Sequence, residues 1–306
     1  MEERLIPLNA WLALSRGDAG WPAPFRDRGF RIYRLEAPVS TAEGPAVVDG
    51  LAIAEAQRVV LAVEAKGGAN VDTEQALKYG AMTASDVERQ HTLPFAGTAA
   101  SLEPLYVCVE QSVDRIRMGL ASAGVTASLL VVGDGRSRLE PRDGSSLQQF
   151  EVSTPSGPPP AIVRLDAESP DEEFREVLLP EVIAAAARGV EVVAVSDLLA
   201  RALPYWSVYG RAAKGRLRRK AAEVLRTLAS GEFRGEFRVE PGGREVDGPV
   251  VRIMRNPAAF DPRGETQGWQ RLRRKGERAL RGRQRLSVPG QISFEDLARE
   301  TEVGEE

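Results

Sequence analysis

Asp49, Glu64 and Lys66 lie on two consecutive apolar runs, VVDGLAIAEA and RVVLAVEAKGG, with Gln75 and Tyr79 just downstream. Two carboxylates and a lysine gathered at the ends of paired strands are what metal-assisted phosphodiester hydrolysis requires. The carboxylates hold a divalent cation, and the ammonium sits beside the attacked phosphate. Lysine usage sharpens the reading. The chain has five lysines against 36 arginines, and Lys66 and Lys78 are the only two in the first 200 residues. A compact ammonium is hard to replace by arginine's planar fork where it must approach a phosphate or a water. Glu64-Ala65-Lys66 is also the only acid-x-Lys in the sequence.

The elements that must position these groups follow from the hydropathy pattern. An amphipathic helix over about residues 2–16 precedes a connection containing Gly20, Pro22 and Pro24. FRIYRLEAPV, AVVDGLAIAEA and RVVLAVEAK read as three successive strands, the last two apolar enough to be central. Asp72 to Arg89 reads as a helix, LYVCVEQ as a buried strand, VDRIRMGLASAG as a helix ending at Gly124, and TASLLVVGDG as a further strand. Hairpin-linked strands followed by strand–helix–strand predict a mixed sheet with helices on its faces. Each motif residue also has a purely structural role open to it. Asp49 can precede a turn at Gly50, Glu64 and Lys66 can form a same-face surface pair, Asp72-x-x-Gln75 fits a capping box, and Tyr79 can pack on the sheet. Glu55 and Glu110 lie on strands as well, with solvent the expected environment of both.

Composition narrows the chemistry. A chain of 306 residues with 42% apolar content is long enough for two domains, each with a core. No apolar run approaches the roughly 18 to 20 residues that span a bilayer, and the N-terminal stretch MEERLIPLNAWLAL is acidic where a signal peptide is basic, so a cytoplasmic protein without membrane contact is expected. Cys108 is the only cysteine, which excludes an internal disulfide and cysteine-built metal clusters; its run, LYVCV, predicts a buried thiol. His91 is the only histidine, so acid–base or metal chemistry falls to carboxylates and lysines.

Charge divides the chain. Residues 201–285 hold 22 Lys/Arg against 9 Asp/Glu in a protein of net charge −3, so the remainder is strongly acidic. The basic part predicts a polyanion-binding region, with a solvated basic face as the alternative. STPSGPPP, within residues 153–165, reads as a proline-stiffened linker between a domain at 1–152 and a basic domain at 166–290, with an acidic tail over 291–306. Beyond the linker, EEFREVLLPEVIAAAARG, SDLLARAL (with Ser196 as N-cap) and residues 215–230 read as helices. On the third, Leu217, Ala221, Val224 and Leu228 share one face. FRGEFRVE and PVVRIM flank a turn-rich PGGREVDG as a β-hairpin. Helices followed by such a hairpin resemble a winged-helix domain. Lys78, Lys214, Arg216, Arg219, Lys220, Arg273, Arg274 and Lys275 are candidate phosphate contacts, with Trp269 a stacking candidate.

Asp49, Glu64-Ala65-Lys66, Gln75 and Tyr79 together resemble the PD-(D/E)xK nuclease superfamily, in particular its RecB-like branch with Gln-x3-Tyr. The resemblance covers about residues 1–152; Val48 stands where the family has proline, and the family's first-helix glutamate is matched only by Glu2 or Glu3. It implies a restriction-endonuclease-like α/β fold in which Asp49, Glu64 and the main-chain carbonyl of Ala65 bind Mg²⁺ or Mn²⁺. Lys66 then positions or polarises the attacking water, and Gln75 and Tyr79 steady the site and touch substrate phosphate. The implied activity is metal-dependent hydrolysis of DNA to 5′-phosphate and 3′-hydroxyl ends in a restriction, defence or repair system, by a homodimer or with a protein partner. A rival reading keeps the fold as a non-catalytic DNA-binding or assembly subunit of a multi-protein complex.

Overall fold

The computed structural model describes residues 5–95, 100–163, 165–242, 248–254 and 273–277. The chain divides into two compact units, Met1–Arg164 with Tyr205–Lys214, and Leu165–Pro204 with Gly215–Glu306. Among the described residues no helix is long and apolar enough to cross a membrane.

The first unit is α/β, a seven-stranded mixed sheet flanked by helices. It opens with α1 (Ile6–Arg16) and the short α2 (Pro24–Asp27). Three strands, β1 (Phe30–Thr41), β2 (Gly44–Ala54) and β3 (Val59–Lys66), form an antiparallel meander. Helices α3 (Thr73–Gly80) and α4 (Ala84–Gln90) then carry the chain to β4 (Ser101–Val109), and α5 (Val113–Ser122) carries it to β5 (Ser128–Gly133). These crossovers make β3, β4 and β5 parallel, as helix-sized connections allow. Two further strands, β6 (Arg136–Glu140) and β7 (Phe150–Ser153), add antiparallel pairs, so the spatial order follows the sequence from β1 to β7. They lie beyond the last strand expected in this half of the chain.

Alternation along the strands sorts the side chains into two layers. Val60, Ala62, Tyr106, Cys108, Leu129 and Val131 face α3, α4 and α5, whose Ala76, Tyr79, Val87, Ile116 and Leu120 complete one core. Burial pushes the Cys108 thiol up to about 11, so it is an inert core group. Helix α1 packs against β1, β3, β4 and β5 outside that core, on the other face. The expected single helix from Asp72 to Arg89 is two helices. The chain breaks after Gly80, and Thr83 restarts it with a reciprocal capping box to Asp86. The proline-rich stretch is fastened to this unit: the Asn9 side chain donates to the Val163 carbonyl (2.9 Å) and accepts from the Val163 N–H (2.6 Å), and Ile162 and Val163 are buried.

The second unit runs α6 (Asp171–Ala187), β8 (Val192–Ala194), α7 (Val195–Ala202), α8 (Arg211–Ser230), β9 (Phe237–Glu240) and β10 (Val250–Ile253), the first four residues of α8 counting with the first unit. Its antiparallel sheet has the order β8-β10-β9. The expected hairpin is β9 and β10, and Leu217, Ala221, Val224 and Leu228 are buried along α8. Ser196 is not the N-cap of α7. Helix α7 follows β8 directly, Ala194 takes the cap position without a side-chain bond, and Ser196 falls inside the helix. Strand β8 completes the sheet and was not read from the sequence.

Candidate active site

The β2/β3 ladder ends at Gly50↔Val63, and the acidic groups emerge just beyond it. Asp49 follows Leu51 and Ile53 on one face of β2, and Glu64 follows Ala62 and Val60 on the matching face of β3. Where the backbone ladder stops, the Asp49 side chain takes over, its Oδ2 accepting the Ala65 N–H at 2.7 Å. Gly50 is required by packing. A Cβ there would lie 2.6 Å from Cζ3 and 2.7 Å from Cη2 of Trp11, on the α1 face.

Helix α3 brings the remaining groups. Asp72 caps it by accepting the Gln75 N–H at 3.0 Å, but the Gln75 side chain does not return to close a capping box. It turns instead into the site, where its Oε1 accepts from Lys66 Nζ (2.9 Å) and its Nε2 donates to the Tyr79 hydroxyl (2.9 Å). Lys66 Nζ also pairs with Glu64 Oε1 at 2.7 Å. The Tyr79 hydroxyl lies 2.5 Å from Glu64 Oε2 and 2.6 Å from the Val47 carbonyl. Its single proton serves one of these acceptors at a time. All five motif side chains and the Ala65 amide thus occupy one cluster where the β2/β3 ladder ends beside α3.

Its electrostatics are uneven. Glu64, though buried, has an ammonium and a phenol against its two oxygens. Asp49 has the Ala65 amide and the Lys66 charge in its favour, but burial and the neighbouring Glu64 charge prevail and raise its carboxyl well above the usual range. Burial and the charges of Glu64 and Asp49 push the Tyr79 phenol far up, so it remains protonated. Two adjacent acids, one of them short of compensating charge, are hard-oxygen donors of the kind a divalent cation that keeps some of its water can take. Among the described residues there is no cluster of three or more His, Cys, Asp or Glu with metal-holding geometry.

Glu55 and Glu110 stand apart from the cluster, pairing with Arg31 and with Arg136 and Arg138 respectively. Tyr106, on β4 beside Glu64, was not singled out in the sequence, although a tyrosine within the otherwise aliphatic run LYVCV was the available signal.

The candidate phosphate contacts are divided between the two units. Lys78 pairs with Glu74 (2.6 Å), Lys220 with Asp171, Arg273 with Glu277 (2.9 Å) and Lys275 with Glu236 (2.9 Å). Lys214 donates to the Ser207 carbonyl (3.2 Å) and lies over the Trp206 ring, while Arg216 is half-buried on α8 and Arg219 and Arg274 are exposed. Trp269, Glu2 and Glu3 lie outside the described residues, as does the acidic tail. Comparison with family models, with curated proteins and with solved structures finds no match to this chain.

Proposed function

We propose that the first unit is a divalent-cation-dependent deoxyribonuclease with a restriction-endonuclease-like fold, hydrolysing phosphodiester bonds at the Asp49–Glu64–Lys66 cluster. The observation that carries this reading is the convergence of Asp49, Glu64, Lys66, Gln75 and Tyr79, from two strands and one helix, into a single hydrogen-bonded group. Asp49, Glu64 and the Ala65 carbonyl are the groups that would hold Mg²⁺ or Mn²⁺, which when bound supplies Lewis acidity at the phosphate. Lys66 orients the attacking water and offsets charge developing on the phosphoryl oxygens. Gln75 fixes the ammonium, and Tyr79 fixes Glu64, so both are aimed before substrate arrives. A buried Glu64 and a half-buried Asp49 beside an ammonium make little sense as a mere stabilising device, because a surface pair would serve without the burial penalty.

For the second unit we propose a winged-helix DNA-binding domain. The order α6-β8-α7-α8-β9-β10 with sheet order β8-β10-β9 supports it, as do the exposed arginines Arg219 and Arg226 on α8. The test is cleavage of supercoiled and linear, single- and double-stranded DNA with Mg²⁺, Mn²⁺ or EDTA, by wild type, Asp49→Ala and Lys66→Ala. Metal-dependent cutting absent from both variants is expected. DNA binding without cutting under any condition would move the protein to the non-catalytic, assembly-subunit reading.

A further inference from the structure

β3 and β4 run parallel with Glu64 paired to Tyr106, so both side chains leave the face of the sheet that also carries Lys66 and meets α3. The Tyr106 ring meets that of Tyr79 edge-on at 6.1 Å, and Tyr79 in turn holds Glu64. Tyr106 is 1% exposed, yet its hydroxyl has no hydrogen-bond partner among the described residues. Buried hydroxyls are normally paired, and one left unpaired is a cost that phenylalanine at the same place would not carry. A buried hydroxyl therefore stands beside Glu64, on the acid-bearing face of the sheet, with no partner among the described residues.

We propose that Tyr106 is a positioning residue of the cation site, its hydroxyl oxygen reserved to accept from a water that enters with a hydrated divalent cation. This rests on the cation-dependent reading above. Mg²⁺ and Mn²⁺ bound through one or two carboxylates retain part of their hydration shell, and acceptor groups around that shell orient it. The hydroxyl is thus left unpaired in the protein alone and gains its partner on loading.

Isothermal titration of wild type, Tyr106→Phe and Asp49→Ala with Mn²⁺, alongside thermal melts without cation, tests this. The phenylalanine variant is expected to melt no lower than wild type when cation-free, yet to bind Mn²⁺ on the order of 10-fold more weakly. Adding Mg²⁺ should produce a tyrosine difference absorption in wild type that Tyr106→Phe diminishes. Equal Mn²⁺ affinity in wild type and Tyr106→Phe, with Asp49→Ala silent, overturns the role of Tyr106 alone. A cation-free variant that melts several degrees lower overturns it too, because the hydroxyl then serves the fold. Absence of Mn²⁺ binding by wild type overturns the cation-dependent reading and this inference with it.

Discussion

Gly50→Ala is the sharpest test of how the fold holds the site. The backbone of Gly50 is not in the left-handed region, so alanine is conformationally acceptable and the penalty is steric. The new methyl would sit 2.6 and 2.7 Å from two Trp11 ring atoms, far inside contact distance. Neither side can yield readily. Trp11 is fully buried, and Gly50 is paired on one side to Leu35 and on the other to Val63. Overpacking of this kind costs about 1–3 kcal/mol. For a unit of this size that lowers the melting temperature by roughly 2–4 °C per kcal/mol, hence by about 2–12 °C. Circular-dichroism melts without divalent cation measure it. Trp11→Phe, which withdraws the two outer ring atoms, should recover much of the loss, giving a coupling of about 0.5–3 kcal/mol in the double-mutant cycle. If Gly50→Ala melts within about 1 °C of wild type, or its cost is unchanged beside Trp11→Phe, the packing argument is wrong.

Three further outcomes follow from the same geometry. Tyr79→Phe deletes a hydroxyl that contacts Glu64, Val47 and Gln75, and should cost about 1–3 kcal/mol in chemical denaturation; a loss under about 0.5 kcal/mol would show those bonds to be incidental. Asn9→Ala leaves the N–H and C=O of Val163 unpaired and should cost about 1–3 kcal/mol for each group that finds no water, while opening residues 154–163 to limited proteolysis; an unchanged digestion pattern would contradict the anchoring. Asp49, whose carboxyl is raised first by burial and then by Glu64, favours the fold in its protonated form. That contribution is complete below the unfolded value of about 3.9 and is lost as pH rises through the folded value. Without cation, the melting temperature of wild type relative to Asp49→Asn should therefore fall as pH rises from about 5 to 8, and parallel profiles would refute it.

The site was legible because its parts are close in sequence and each sits on a strongly patterned element. Asp49 and Glu64 ride on apolar strands joined by a short turn, so antiparallel pairing alone brings them together, and Gln75 and Tyr79 share a helix face at i,i+4. What was missed needs neighbours that sequence does not reveal. β8 has three residues and exists by pairing with β10, and β6 carries Arg136, Arg138 and Glu140 in an ion-pair network with Glu110 and Arg117, so its alternation is masked by charge. The break between α3 and α4 is written in Thr83 and Asp86, but apolar periodicity continues through it and hides the restart. Tyr106 is the most instructive omission. Periodicity buries it, yet only the parallel register of β4 against β3 sets it beside Glu64, and only the surrounding side chains show its hydroxyl to be unpaired. A sequence pattern thus identifies the groups that carry charge, whereas the groups that shape the space around them depend on register. Within this cluster Glu64 has Lys66 and Tyr79 against it, while Asp49 is burdened by burial and by Glu64. Cation-linked stability should therefore depend more steeply on Asp49 than on the better-satisfied acid beside it.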